Sequence, residues 1–173
     1  MDEVSRGKPM MTVDLFFSEY IFNFIRQDIE REIVLAREGR GGGNFLAALG
    51  LLCYTDVLGG FITGSWERGT SRANFDAFFD RLGPEYVAFR QAILPDDPYS
   101  LYRCGMVHEY AVKVPCRIRM LKGSETCGVW KGASDGHFYF SVERYFEDFM
   151  KATWRFYEEL MAEPNPSLPR VST

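Results

Sequence analysis

Residues 45–64 (FLAALGLLCYTDVLGGFITG) constrain this chain more than any other segment. Almost every side chain is apolar, yet Asp56 sits at the centre and Gly50, Gly59, Gly60 and Gly64 interrupt the run, with Gly43 bordering it. A segment this apolar either spans a bilayer or forms the middle of a helical core. A carboxylate at mid-bilayer is costly, so the core is the better reading and no membrane partner is expected. The spacing predicts a helix over residues 44–63, capped by Asn44, whose Ala47, Ala48 and Gly50 let neighbouring helices approach closely.

A central helix needs partners, and the flanking sequence supplies them. Residues 14–38 place Phe17, Tyr20, Ile21, Phe24, Ile25 and Ile29 at three- and four-residue intervals, the signature of an amphipathic helix. Gly39 ends it, and Gly41, Gly42 and Gly43 form a connection. Those glycines lack the Lys-Ser/Thr that completes a phosphate loop. Further helices are expected near residues 72–82, at 84–93 opened by Pro84, and at 99–108. The last spans residues 142–160, where Val142, Tyr145, Phe146, Phe149, Met150, Phe156, Tyr157 and Leu160 form a broad stripe behind a Ser141 cap.

Between the last two helices the period changes. Cys116-Arg117-Ile118-Arg119-Met120 alternates apolar and basic residues, as a strand with one buried face does. Residues 129–131 and 137–140 read as two more strands joined by a turn at Asp135-Gly136. The expected fold class is therefore mainly α, an up-and-down helical bundle with a small antiparallel β-meander inserted before the last helix. Residues 12–162 form one domain with the β insertion at about 115–140, preceded by a flexible leader at 1–11 and followed by a disordered tail at 163–173.

A chain of 173 residues with 46% hydrophobic side chains builds one core without crosslinks. The four cysteines (Cys53, Cys104, Cys116, Cys127) show no metal-ligand spacing and read as reduced thiols, in keeping with a cytoplasmic protein. A net charge of −4 excludes a generic nucleic-acid coat. The charge is unevenly spread, however: residues 103–131 hold six basic side chains against two acidic ones. That local surplus suits an anionic substrate, with Lys113, Arg117 and Arg119 as its contacts, or a solvated strand face.

Arg103 and His108 are the residues through which chemistry would run. A guanidinium holds phosphate oxygens with a fork of donors, and an imidazole moves a proton near neutral pH. Five residues on an ideal α-helix turn the two side chains about 140° apart, so a shared site requires a helix distorted at Gly105, the long Arg103 arm reaching round, or a second copy of the chain. Asp56, Glu19 and Glu109 are candidates to orient the pair. His137, beside a turn, reads as a surface residue.

The Arg103-x4-His108 pattern, set in RCGMVHEY with Lys113 after it and flanked by long first and last helices, resembles the HEPN superfamily, in particular its uncharacterised bacterial members. The likeness covers residues 13–162 as an architecture. It implies a helical-bundle homodimer and a metal-independent endoribonuclease without a cofactor, often in toxin–antitoxin or defence systems. Arg103 would then bind the scissile phosphate and His108 would serve as general acid or base. It implies equally a catalytically inactive relative that binds nucleic acid, a nucleotide or a protein partner. RNA, an antitoxin and a nucleotidyltransferase-type protein are the partners the resemblance suggests. Cys104 departs from the polar residue, often Asn, that commonly follows the arginine in active members.

Overall fold

The computed structural model describes residues 12–41, 43–108 and 116–163, with residues 107 and 108 described by their backbone alone. The chain is mainly helical, with six helices and a three-stranded sheet among the described residues. Helix α1 covers residues 13–37, α2 Asn44–Thr63, α3 Ser71–Phe79, α4 Pro84–Ala92, α5 residues 99–108 and α6 Val142–Met161. The strands are β1 Cys116–Arg119, β2 Val129–Lys131 and β3 Phe138–Ser141.

Helix α2 lies against α3 and α6, and Ala48, Leu51, Leu52 and Leu58 are sealed from solvent. It is long and apolar enough to cross a membrane, but its small residues are used for packing within the fold. A Cβ on Gly59 would overlap the Asn74 carbonyl of α3, and one on Gly60 would stand 2.8 Å from the Trp66 ring. Glycine here sets the distance between α2 and α3. Thr55 ties the same helix to α6 through a buried 2.8 Å hydrogen bond with the Tyr145 hydroxyl. Asn44 is the first helical residue rather than the cap. Its Nδ2 donates to the Ile118 carbonyl at 3.0 Å and so fastens α2 to β1.

Helix α1 is continuous, but its turns at Phe16–Ile25 are π-helical. A wider turn rotates each residue less than an α turn, which shifts the buried face. Phe17, Ile21 and Ile29 enter the core, whereas Tyr20 and Phe24, expected beside them, stand 44% and 57% exposed.

The sheet corrects the expected meander. Its order is β1-β3-β2; β2 and β3 form the antiparallel hairpin around Gly136, but β1 runs parallel to β3, with Cys116 opposite Phe138 and Arg119 opposite Ser141. Burial explains the order. Phe138 and Phe140 are the most apolar inward pair and take the centre, while Arg117 and Lys131 lie on strands at the two edges, where charge is tolerated. The underside of β3 rests on α5 and α6, Phe140 meeting the Tyr102 and Tyr145 rings. The approach to β2 is pinned by a buried chain in which Gly128 N–H donates to Tyr86 and Tyr86 donates to Asp148, at 2.8 and 2.9 Å. Ser141 occupies the cap position of α6 without a side-chain hydrogen bond to it.

Candidate functional site

Arg103 stands on α5, which begins as π turns at Tyr99–Cys104 and continues as α turns at Gly105–His108. The π turns lie before Gly105, where a distortion was expected, and the helix is regular from Gly105 onward. Most of the steps between Arg103 and His108 therefore keep the α rotation that their spacing implies. His108 is the last described residue of this helix; its side chain, Glu109 and Lys113 lie outside the described residues.

The Arg103 guanidinium faces α2. Its Nη2 meets Asp56 Oδ2 at 3.2 Å, and the two side chains keep only 19% and 13% of their surface exposed. Asp56, the carboxylate that interrupts the apolar run, is therefore Arg103's counterion. Burial raises the Asp56 pKa above its usual value, and the Arg103 charge offsets this only in part. Ser71, at the start of α3, also reaches Asp56. One turn before Arg103, Tyr99 lies with its ring centroid 5.6 Å from the guanidinium carbon. Arg72 approaches the same ring at 5.2 Å while paired with Asp97 and donating to Ser100 Oγ at 2.8 Å. Two arginines and two carboxylates thus surround Tyr99. Nε of Arg103 is buried with no hydrogen-bond acceptor among the described residues.

What this arrangement does chemically follows from the donor count. A guanidinium carries five N–H groups, and Asp56 engages one terminal nitrogen, so Arg103 is aimed and still has donors for an anion. Cys53, Cys116 and Cys127 are poor nucleophiles by contrast. All four cysteines are free, and burial raises the pKa of Cys53 and Cys127 and pushes Cys116 up to about 12.

Arg117 and Arg119 form a second basic group on the outward face of the sheet. Arg117 leans toward the Tyr139 ring at 6.0 Å, Tyr139 stacks on Trp130 at 4.9 Å with a 7° interplanar angle, and Arg119 lies 4.7 Å above Trp130. Arg119 is also ion-paired with Glu125. Burial pulls the Glu125 pKa upward, but the hydrogen bond from Arg119, with backbone N–H groups that include that of Gly123, overcomes it and holds the carboxyl at about 2. The two basic groups are on opposite sides of β3: Tyr102, the neighbour of Arg103, donates to the Tyr139 carbonyl from beneath. Among the described residues the contacts of Arg103 and those of Arg117 and Arg119 have no member in common.

Sequence reasoning located Arg103 and named Asp56 among its candidate partners. Glu19, on the exposed side of α1, is not one of Arg103's contacts. Tyr99 was readable as the i,i+4 neighbour of Arg103, but Ser71 and Arg72 reach the site only through the packing of α3 on α2. His137 is a turn residue, its Nδ1 3.1 Å from Asp135. The chain matches no protein-family model, no curated protein and no solved structure.

Proposed function

We propose that this chain is a metal-independent endoribonuclease of HEPN type, acting as a cytoplasmic homodimer. The observation that carries the reading is Arg103: a half-buried guanidinium, oriented by Asp56 and Tyr99, with an orphaned Nε donor, on the helix that also carries His108. An unsatisfied buried N–H costs about 1–3 kcal/mol, which a phosphate oxygen would remove. Arg103 would hold the scissile phosphate and stabilise the charge that grows on it as the ribose 2′-OH attacks phosphorus. His108 would take the 2′-OH proton or protonate the leaving 5′-oxygen. The products would be a 2′,3′-cyclic phosphate and a free 5′-hydroxyl. Arg117 and Arg119 would contact RNA away from the reacting phosphate, and an antitoxin would restrain the activity in a toxin–antitoxin or defence system.

The Arg103–Asp56 ion pair favours a second reading, a catalytically inactive HEPN-like domain that binds RNA, because a neutralised guanidinium is a weaker phosphate clamp. One experiment separates the two. Wild type, Arg103→Ala and His108→Ala are incubated with mixed RNAs in EDTA and the product ends analysed. The first reading expects cyclic-phosphate ends from wild type and a loss of about 10²–10⁴-fold in each variant. Equal cleavage by all three proteins ends the ribonuclease reading; RNA binding without cleavage establishes the second.

A further inference from the structure

The N-terminal and C-terminal helices leave an apolar groove between them. It has a volume of about 550 Å³ and is lined by Phe22 and Arg26 of α1 and by Met150, Lys151, Trp154 and Arg155 of α6. Phe22 and Trp154 form its floor, their rings 4.9 Å apart, and Trp154 remains 50% exposed. Three cations rim this floor. Arg26 touches Glu30 only at 3.6 Å, Lys151 touches Asp148 only at 3.8 Å, and Arg155 donates to the Arg81 carbonyl.

Of the surrounding carboxylates, Glu147, Glu159 and Asp148 are engaged by other groups, whereas Glu158 sits at the floor itself. Glu147 is paired with Lys122, Glu158 accepts from the Trp154 indole, Glu159 is paired with Arg81, and Asp148 accepts from Tyr86 and Arg144. An aromatic floor with three under-compensated cations is unusual on a chain whose net charge is −4.

We propose that this groove docks an acidic amphipathic helix from a protein partner, its apolar side chains on Phe22 and Trp154 and its carboxylates on Arg26, Lys151 and Arg155. Charge complementarity selects this occupant. A second copy meeting the same face about a twofold axis would oppose cation to cation. A small ligand would need far greater enclosure than six residues from two helices provide. The inference does not depend on whether Arg103 and His108 cleave RNA.

The test uses the full chain and a tryptophan-free Leu/Glu amphipathic peptide of about 18 residues, with a Leu/Lys peptide of the same pattern as control. Binding is read from the Trp154 indole N–H resonance, assigned with Trp154→Phe. The Leu/Glu peptide is expected to shift that resonance and to bind at least about tenfold more tightly than the Leu/Lys peptide. Arg26→Glu/Lys151→Glu, at two exposed positions, is expected to weaken it by at least about tenfold with unchanged circular dichroism. The proposal is overturned if the Leu/Glu peptide fails to bind, if the double variant binds it equally, or if the Leu/Lys peptide binds as tightly. It is overturned also if phosphatidylglycerol vesicles or a second copy of the chain, followed by sedimentation, shift the resonance in the peptide's place.

Discussion

Asp56 and Arg103 show how a half-buried charge is kept. Burial disfavours the Asp56 carboxylate, and the arginine recovers part of that cost, so removing either partner exposes a different penalty. Arg103→Ala leaves the carboxylate uncompensated and is expected to cost about 1–3 kcal/mol in urea denaturation at neutral pH. Asp56→Asn is expected to cost less, because the amide avoids the burial penalty on a carboxylate. The pH dependence has a definite sign. An acid whose folded pKa is raised binds protons more readily in the native state, so stability falls as pH rises through that pKa. Acidifying Arg103→Ala from neutral pH toward 4.5 should therefore narrow its deficit relative to wild type. Glu125 behaves oppositely. Its folded value of about 2 lies below the ordinary 4.5, so its stabilisation is complete above 4.5 and disappears as pH falls toward 2. Glu125→Gln should lower the urea midpoint at pH 7 and flatten the acid limb between pH 4.5 and 2; an unchanged limb would refute the assignment.

At the scale of elements, two glycines in the same helix should respond in opposite directions to the same substitution. Helix propensity alone favours alanine over glycine by about 1 kcal/mol. Around Gly50 the nearest atom to an added Cβ is 3.6 Å away, so Gly50→Ala should raise stability by up to about that amount. At Gly59 the same methyl would enter the Asn74 carbonyl, and α3 would have to move away. Gly59→Ala should cost at least about 3 kcal/mol or prevent folding, as thermal denaturation will show. The same logic applies to the strands. Gly128 lets the chain pass against the Tyr145 backbone on its way into β2, and that close passage helps to fix where the hairpin sits on α6.

For the whole molecule, the helices and the sheet share one core. Phe140 and Tyr145 stack across the boundary between β3 and α6, and Tyr102 of α5 hydrogen-bonds to β3. Nothing in this packing allows the sheet to melt alone. Trp130 in the sheet and helical circular dichroism should therefore report coincident urea transitions; a separate Trp130 transition would show that the sheet is a distinct unit. Tyr145→Phe, which deletes the hydroxyl that joins α2 to α6, should shift both transitions together by about 1 kcal/mol.

Local pattern alone determined the existence and order of the helices, because a three- to four-residue apolar spacing has one good solution, and it placed the three strands within one or two residues. It also singled out Asp56 as the one charge in an apolar helix and Arg103 as a group needing an orienting partner. What it did not contain was the partner of each strand. Alternation says that a strand has an inner face but not which neighbour it takes, so β1 joined β3 in parallel only once Phe138 and Phe140 claimed the centre. The π turns of α1 and α5 were equally hidden, since they change the rotation per residue without changing the composition. In the central apolar run, Asp56 already favoured a core over a membrane span. Tertiary packing supplied the reason for both halves of its sequence: glycines where α3 must come close, and a carboxylate where Arg103 arrives from 47 residues away.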